Sequence, residues 1–253
     1  MPFCELRYFS EALGFHTAAN ILLPDPKLEP PYHVMFLLHG LSDDHTIWSR
    51  RTSIERYADG LPLVIVMPNG GRGFYTDAHA GFAYGTAIGE ELPAIVRRYF
   101  PVRDEWAITG LSMGGYGAVR LAFRYPKRFV SSVSHSGALD FGHTGERWKA
   151  EDDPRAAEFS RILGPTVGRN ENDLYYLAQQ LPESLRPKLR IDCGVDDFLI
   201  EHNRSFSAFL ERIGYSHEYE EFPGEHNWEY WDEHVQEALA FHARNLGFAR
   251  AAG

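Results

Sequence analysis

The segment Thr109-Gly-Leu-Ser-Met-Gly-Gly115 is the first place where the chain offers chemistry. Gly110, Ser112 and Gly114 make a G-x-S-x-G pattern. An apolar run, Trp106 to Thr109, precedes it. Ala118, Leu121, Ala122 and Tyr125 follow at helical spacing until Pro126. In that context the serine sits on a tight turn from strand to helix, with its hydroxyl pushed outward. Side chains at 110 and 114 are expected to clash with neighbouring strands. The helix that follows would point its free N–H groups and positive dipole end at the same spot.

A serine hydroxyl is a weak nucleophile at neutral pH and needs a base. In a sheet with this turn, an acid and then a histidine follow the serine in chain order, each after a strand. Leu189 to Cys193 runs into Gly194-Val-Asp-Asp-Phe198, and His217 to Phe222 runs into Pro223-Gly-Glu-His-Asn227. Asp197 is therefore expected to be the orienting acid, with the adjacent Asp196 as the alternative, and His226 the base. The competing readings are an exposed turn carboxylate or helix N-cap, and one loop imidazole among twelve histidines. His202, His234 and His242 fall in helical patterns and read as surface or core residues. The oxyanion donors are expected to be the amides of Met113 and of Leu41, with Gly40 as second choice for the latter. His39 itself reads as structural. The run from His39 to His45 holds two histidines and two carboxylates, but it has no HxHxDH spacing and no HExxH occurs, so no metal is expected.

These groups need a scaffold. Leu6, Tyr8 and Phe15 to Leu23 are rich in strand formers, with Leu13-Gly14 between them, which predicts an N-terminal hairpin. Val34 to Leu38 and Leu63 to Met67 are continuous apolar runs that suit strands buried on both faces. Phe129 to Val133 is a further strand candidate. Helical stripes run through Ile88, Leu92, Val96 and Tyr99, with a kink or delay expected at Pro93. Others run through Phe206, Phe209, Leu210 and Ile213, capped by Gly214, and through Trp231, Val235, Ala238, Leu239 and His242 to Gly247. Strands alternating with amphipathic helices argue for an α/β fold with a mostly parallel sheet. No linker divides the chain, so residues 1–253 read as one domain. Residues 138–186, with a helical piece at Pro154 to Leu163, read as an insertion over the sheet edge or a partial lid.

Composition limits the alternatives. The 253 residues are 44% hydrophobic and 24% charged, an ordinary globular balance. The formal charge of -10 disfavours a nucleic-acid partner and polyanionic substrates. The longest apolar runs are strand-sized, far short of the ~20 residues of a membrane span. Glu151-Asp152-Asp153 is a short acidic run that reads as solvated surface. Cys4 and Cys193 fit no metal spacing and read as free thiols. With no signal-peptide pattern at the N-terminus, a cytoplasmic place is expected. A homo-oligomer is compatible with base rates alone.

The combined pattern resembles one branch of the α/β-hydrolases, the esterase D-like esterases. That group includes S-formylglutathione hydrolases, feruloyl esterases and mycobacterial mycolyltransferases. The likeness to bacterial tributyrin esterases is closer. It is carried by Gly110-Leu-Ser-Met-Gly-Gly-Tyr-Gly117, His39-Gly-Leu-Ser42, Trp48, Arg51-Thr52, Val66-Met-Pro-Asn69 and Phe74-Tyr-Thr-Asp77. Glu90-Glu-Leu-Pro93, His135-Ser-Gly-Ala138, Cys193-Gly194, Asp197-Phe-Leu199, His226, Trp228 and Tyr230-Trp231 add to it. Residues 140–186 match no motif of that group. The resemblance implies a cofactor-free serine carboxylesterase acting on short acyl chains through Ser112, Asp197 and His226. The alternatives are an S-formylglutathione hydrolase, a feruloyl or acetyl-carbohydrate esterase, and, in a different class, a non-catalytic binding module on the same fold. Trp48, Tyr75, Phe82 and Trp228, together with Phe74, are expected in loops on the serine's side of the sheet, where they could line an ester pocket.

Overall fold

The computed structural model describes residues 1–143 and 155–249. The acidic run 151–153 and the start of the helical piece at Pro154 lie outside them. In chain order the strands are β1 (Phe3–Ser10), β2 (Phe15–Leu22), β3 (His33–Leu38), β4 (Leu63–Pro68), β5 (Trp106–Leu111), β6 (Phe129–His135), β7 (Lys188–Gly194) and β8 (Glu218–Phe222). The helices are α1 (Ile47–Arg51), α2 (Ile54–Ala58), α3 (Tyr84–Thr86), α4 (Leu92–Tyr99), α5 (Met113–Arg124), α6 (Ala156–Leu163), α7 (Leu174–Gln180), α8 (Ile200–Arg212) and α9 (Trp228–Leu246). Among the described residues no helix is long and apolar enough to cross a membrane.

One eight-stranded sheet runs β1-β2-β4-β3-β5-β6-β7-β8. The hairpin β1-β2 is antiparallel and joins β4 antiparallel, and every pair from β4 to β8 is parallel. The apolar runs explain the centre. All six residues of β3, β4 and β5 are buried, as expected for strands covered on both faces. Side chains alternate across the sheet. Val34, Phe36 and Leu38 join Ile108 and the helices α4, α5 and α8 on one side. Met35, Leu37 and Ile65 join α1, α2 and α9 on the other. The 138–186 segment packs its Phe159, Leu174 and Tyr175 into the α5 side of this core. Buried Arg120 of α5 fastens it there, donating to the Glu171 carbonyl (3.0 Å) and the Asn172 side chain (3.1 Å).

Pro93 falls in the first turn of α4, so the regular helix starts late, the delay expected at that proline. A single wide π turn, Ala87–Glu91, joins α3 to α4. Proline lacks the N–H that would bond the carbonyl four residues back. That carbonyl belongs to Gly89, and the Arg128 guanidinium takes it.

Two imidazoles are sealed into the sheet's surroundings. His242 of α9 bonds Thr109 Oγ1 on β5 (2.6 Å) and Ser131 Oγ on β6 (2.8 Å). His39, just after β3, is 1% exposed. Burial lowers His242 to about 3 and His39 to about 4. Unfolded histidine titrates near 6.5, so below that pH the unfolded chain takes up protons that the fold refuses. The stability present above pH ~6.5 is therefore lost on acidification, at up to about 2.7 kcal/mol per pH unit for two such groups. Calorimetry at pH 8, 6.5 and 5 should show Tm nearly level over the first interval and falling over the second. A flat profile down to pH 5 would contradict this.

Candidate active site

The parallel strands β3, β5, β6, β7 and β8 all end at one rim, and the loops that follow them meet there. The turn after β5 is the tightest. Ser112 has φ 53° and ψ -116° and directly precedes α5. Positive φ is costly for a residue with a side chain, so the turn must be held from outside. Ser112 N–H donates to the His135 carbonyl (2.9 Å), and its own carbonyl accepts from Tyr116 and Ala138 N–H (both 3.1 Å). The flanking glycines are required by contact. A Cβ at 114 would lie 2.5 Å from the Leu38 carbonyl oxygen of the neighbouring strand. A Cβ at 110 would lie 2.2 Å from the Gly114 carbonyl oxygen. The expected clash with a neighbouring strand thus applies at 114. At 110 the obstacle is the first turn of the following helix.

Ser112 Oγ lies 3.0 Å from His226 Nε2. His226 Nδ1 lies 2.8 Å from Asp197 Oδ2 and 3.0 Å from Oδ1. A carboxylate can only accept, so Nδ1 carries the proton and the Nε2 lone pair faces the serine O–H. Asp197 is 2% exposed, and its Oδ1 also accepts the Leu199 N–H at 2.8 Å. Burial pushes its pKa up, but the bonds from His226 and Leu199 and the field of His226 outweigh that. The carboxyl is held below its ordinary value and stays ionised. Asp196 is exposed, and among the described residues its carboxylate has no bond to His226. The loops after β7 and β8 touch backbone to backbone. A Cβ at Gly194 would sit 2.3 Å from the Gly224 carbonyl oxygen, and Gly224 itself has φ 146°. Aromatic rings flank the imidazole, with Phe198 at 4.4 Å and Trp231 edge-on at 4.9 Å between centroids.

Gly40 lies against the nucleophile, since a Cβ there would be 3.7 Å from Ser112 Cβ. His39 fixes this loop. Its Nε2 accepts the Gly70 N–H (2.8 Å), and its Nδ1 donates to the Gly40 carbonyl (2.7 Å). Both ring nitrogens are committed to backbone, so neither is available to a metal. The Asp43 carboxylate crowds Gly40, 3.4 Å from where a Cβ would stand, and Leu41 is the candidate donor from this loop. Met113 opens α5, so its N–H has no intrahelical acceptor.

A cavity of about 590 Å³ opens beside Ser112. Phe74, Met113, Ala138, Phe159, Phe198 and Leu199 give it an apolar wall. Ser42, Asp43, Arg51, Asn227 and Glu229 give it a polar one. Of the five aromatic residues expected there, Phe74 and Trp228 line it and three do not. Trp48 is 1% exposed, donates to the Leu38 carbonyl and packs edge-on to Trp228. Tyr75 is fully buried and donates to the His39 carbonyl (2.9 Å), so it supports the loop from behind. Phe82 is exposed but rests on Phe15 of the hairpin, 5.1 Å between centroids. Their polar tips or neighbouring rings gave them better partners than the cleft. Phe198 and Phe159 escaped sequence reasoning. The one signal for Phe198 is its position directly after the acid. Also unread was a second buried pair, His135 Nδ1 at 2.9 Å from Asp192, which accepts the Tyr230 hydroxyl at 3.1 Å.

The sheet order and the elbow define an α/β-hydrolase fold. Residues 10–242 match the family described as "Putative esterase", and the chain belongs to that family. An acetyl esterase of Caldicellulosiruptor saccharolyticus is 28% identical over 258 residues, spanning 94% of this chain and 97% of that protein. Among solved structures, the Staphylococcus aureus fluorophosphonate-binding serine hydrolase FphF is similar with a TM-score of 0.85 and 31% identity, over 94% of this chain and 97% of its own. The S-formylglutathione hydrolase FrmB of the same organism has a TM-score of 0.82 and 32% identity at the same coverage.

The elbow geometry makes a direct forecast. Gly110→Ala should cost more than about 3 kcal/mol, because backbone atoms must move to admit the methyl. Urea unfolding measures it, and a loss under about 1 kcal/mol would contradict the steric account.

Proposed function

We propose that the chain is a serine carboxylesterase that hydrolyses short-chain acyl esters through an acyl-enzyme. The observation that carries the reading is the hydroxyl–imidazole–carboxylate chain, with contacts of 3.0 and 2.8 Å, opening into the cavity. Ser112 Oγ attacks the ester carbonyl as His226 Nε2 takes its proton. Asp197 keeps the imidazole in the required tautomer and stabilises the charged form. The amides of Met113 and Leu41 receive the oxyanion. The protonated imidazole gives its proton to the leaving alcohol. Water, activated by the same base, then releases the acid. A small acyl group fits against Met113, Ala138, Leu199 and Phe159, and the acetyl esterase relative supports a short chain. Two free cysteines support a reducing, cytoplasmic setting.

The likeness to FrmB supports a second reading, in which the same steps cleave a thioester. Comparing kcat/KM on S-formylglutathione with that on p-nitrophenyl acetate and butyrate separates the two.

Ser112→Ala should lower kcat on p-nitrophenyl acetate by around 10⁶-fold and abolish fluorophosphonate labelling. Asp197→Asn should cost about 10⁴-fold, since the amide favours the wrong tautomer, while Asp196→Asn should stay within about twofold of the parent. Retention of more than a tenth of the activity by Ser112→Ala would sink the reading.

A further inference from the structure

Ser136 follows β6 with φ 49°, in the left-handed region where glycine is the easy choice. A serine stands there instead, and it is fully buried. Its N–H donates to the Asp192 carbonyl at 2.8 Å, and the residue before it supplies the carbonyl that holds Ser112 N–H. Its Oγ accepts the Trp231 indole N–H at 3.2 Å. An indole nitrogen can only donate, so the hydroxyl hydrogen remains for another acceptor. Two acceptors interact with it electrostatically, the Asp197 carboxylate and the Cys193 sulfur. Burial keeps Cys193 a neutral thiol. A thiol is a weak acceptor and a carboxylate a strong one, so Asp197 is the acceptor that the hydroxyl hydrogen favours.

We propose that Ser136 is a positioning residue for the acid–base pair, accepting from Trp231 and donating to Asp197, so that one buried hydroxyl fixes both the carboxylate that orients His226 and the indole packed against it. The inference rests on the triad assigned above. The hydroxyl also draws off part of the carboxylate's negative charge. Without it, that charge falls more fully on His226, favours the imidazolium and depletes the neutral base at higher pH. The other titratable groups around Ser136 are Asp192 and Cys193 on β7, His135 on β6 and Tyr230 on α9. They stay unchanged in the variants below.

Ser136→Gly and Ser136→Ala separate the hydroxyl from the backbone. Both remove the bond, but glycine relieves the positive φ and alanine does not. Both should lower kcat on p-nitrophenyl acetate about three- to tenfold with KM within about twofold. In both, the acid limb of the pH–rate profile should move upward, although Ser136→Gly should melt higher than Ser136→Ala. Ser136→Gly with the parent's kcat and acid limb would overturn the proposal. An NMR titration of the His226 ring C–H in the same proteins needs no turnover. If the parent cleaves no ester but the ring titrates higher in both variants, the esterase reading falls and the positioning role stands. An unmoved ring titration refutes the positioning role.

Discussion

Gly110 and Gly114 let β5 turn into α5 around one residue, and the site is placed relative to that turn. No carbon can be added at either position without meeting backbone. The turn leaves Ser112 in a conformation that a side chain disfavours, so its N–H and C=O are both clamped by the 135–138 segment. The clamp is in turn anchored by Asp192 on β7 and, through Tyr230, by α9. Strain at the nucleophile is therefore carried by three neighbouring elements, not by the turn alone.

The electrostatics follow the same economy of groups. One buried carboxylate faces the base, and backbone and side-chain donors keep it ionised despite burial. The imidazole lies between aromatic rings that limit its tilt and keep bulk water from its flanks. Behind the site, His39 is neutral and joins two loops through backbone bonds alone. Charge is thus concentrated on Asp197 and, at the mouth, on Asp43, Arg51, Arg155 and Glu229.

Much of this architecture was legible in the sequence because burial on both faces leaves unbroken apolar runs, and β3, β4 and β5 are such strands. The hairpin showed through Leu13-Gly14, and the last helix through its stripe and Gly247. The order serine, aspartate, histidine at successive strand ends was legible too, because topology fixes it. The two adjacent aspartates were not separable, since a turn gives no period from which to read direction. For the same reason Trp48 and Tyr75 were expected in the cleft, although each turns inward to a carbonyl. The π turn before Pro93 leaves no compositional mark beyond the proline itself. Ser136 looks like any small residue at a strand end until its φ and its neighbours are known.

The backbone contact between Gly194 and Gly224 has a kinetic corollary. Acid and base ride on loops that touch, so a displacement of one presses directly on the other. The nucleophile is held by the 135–138 strap, itself tied to β7 through the Ser136 N–H and the Asp192 carbonyl. An acyl group too bulky for the apolar wall would then strain the junction between hydroxyl and imidazole before it disturbed either half. Discrimination by acyl size would surface in turnover more than in affinity.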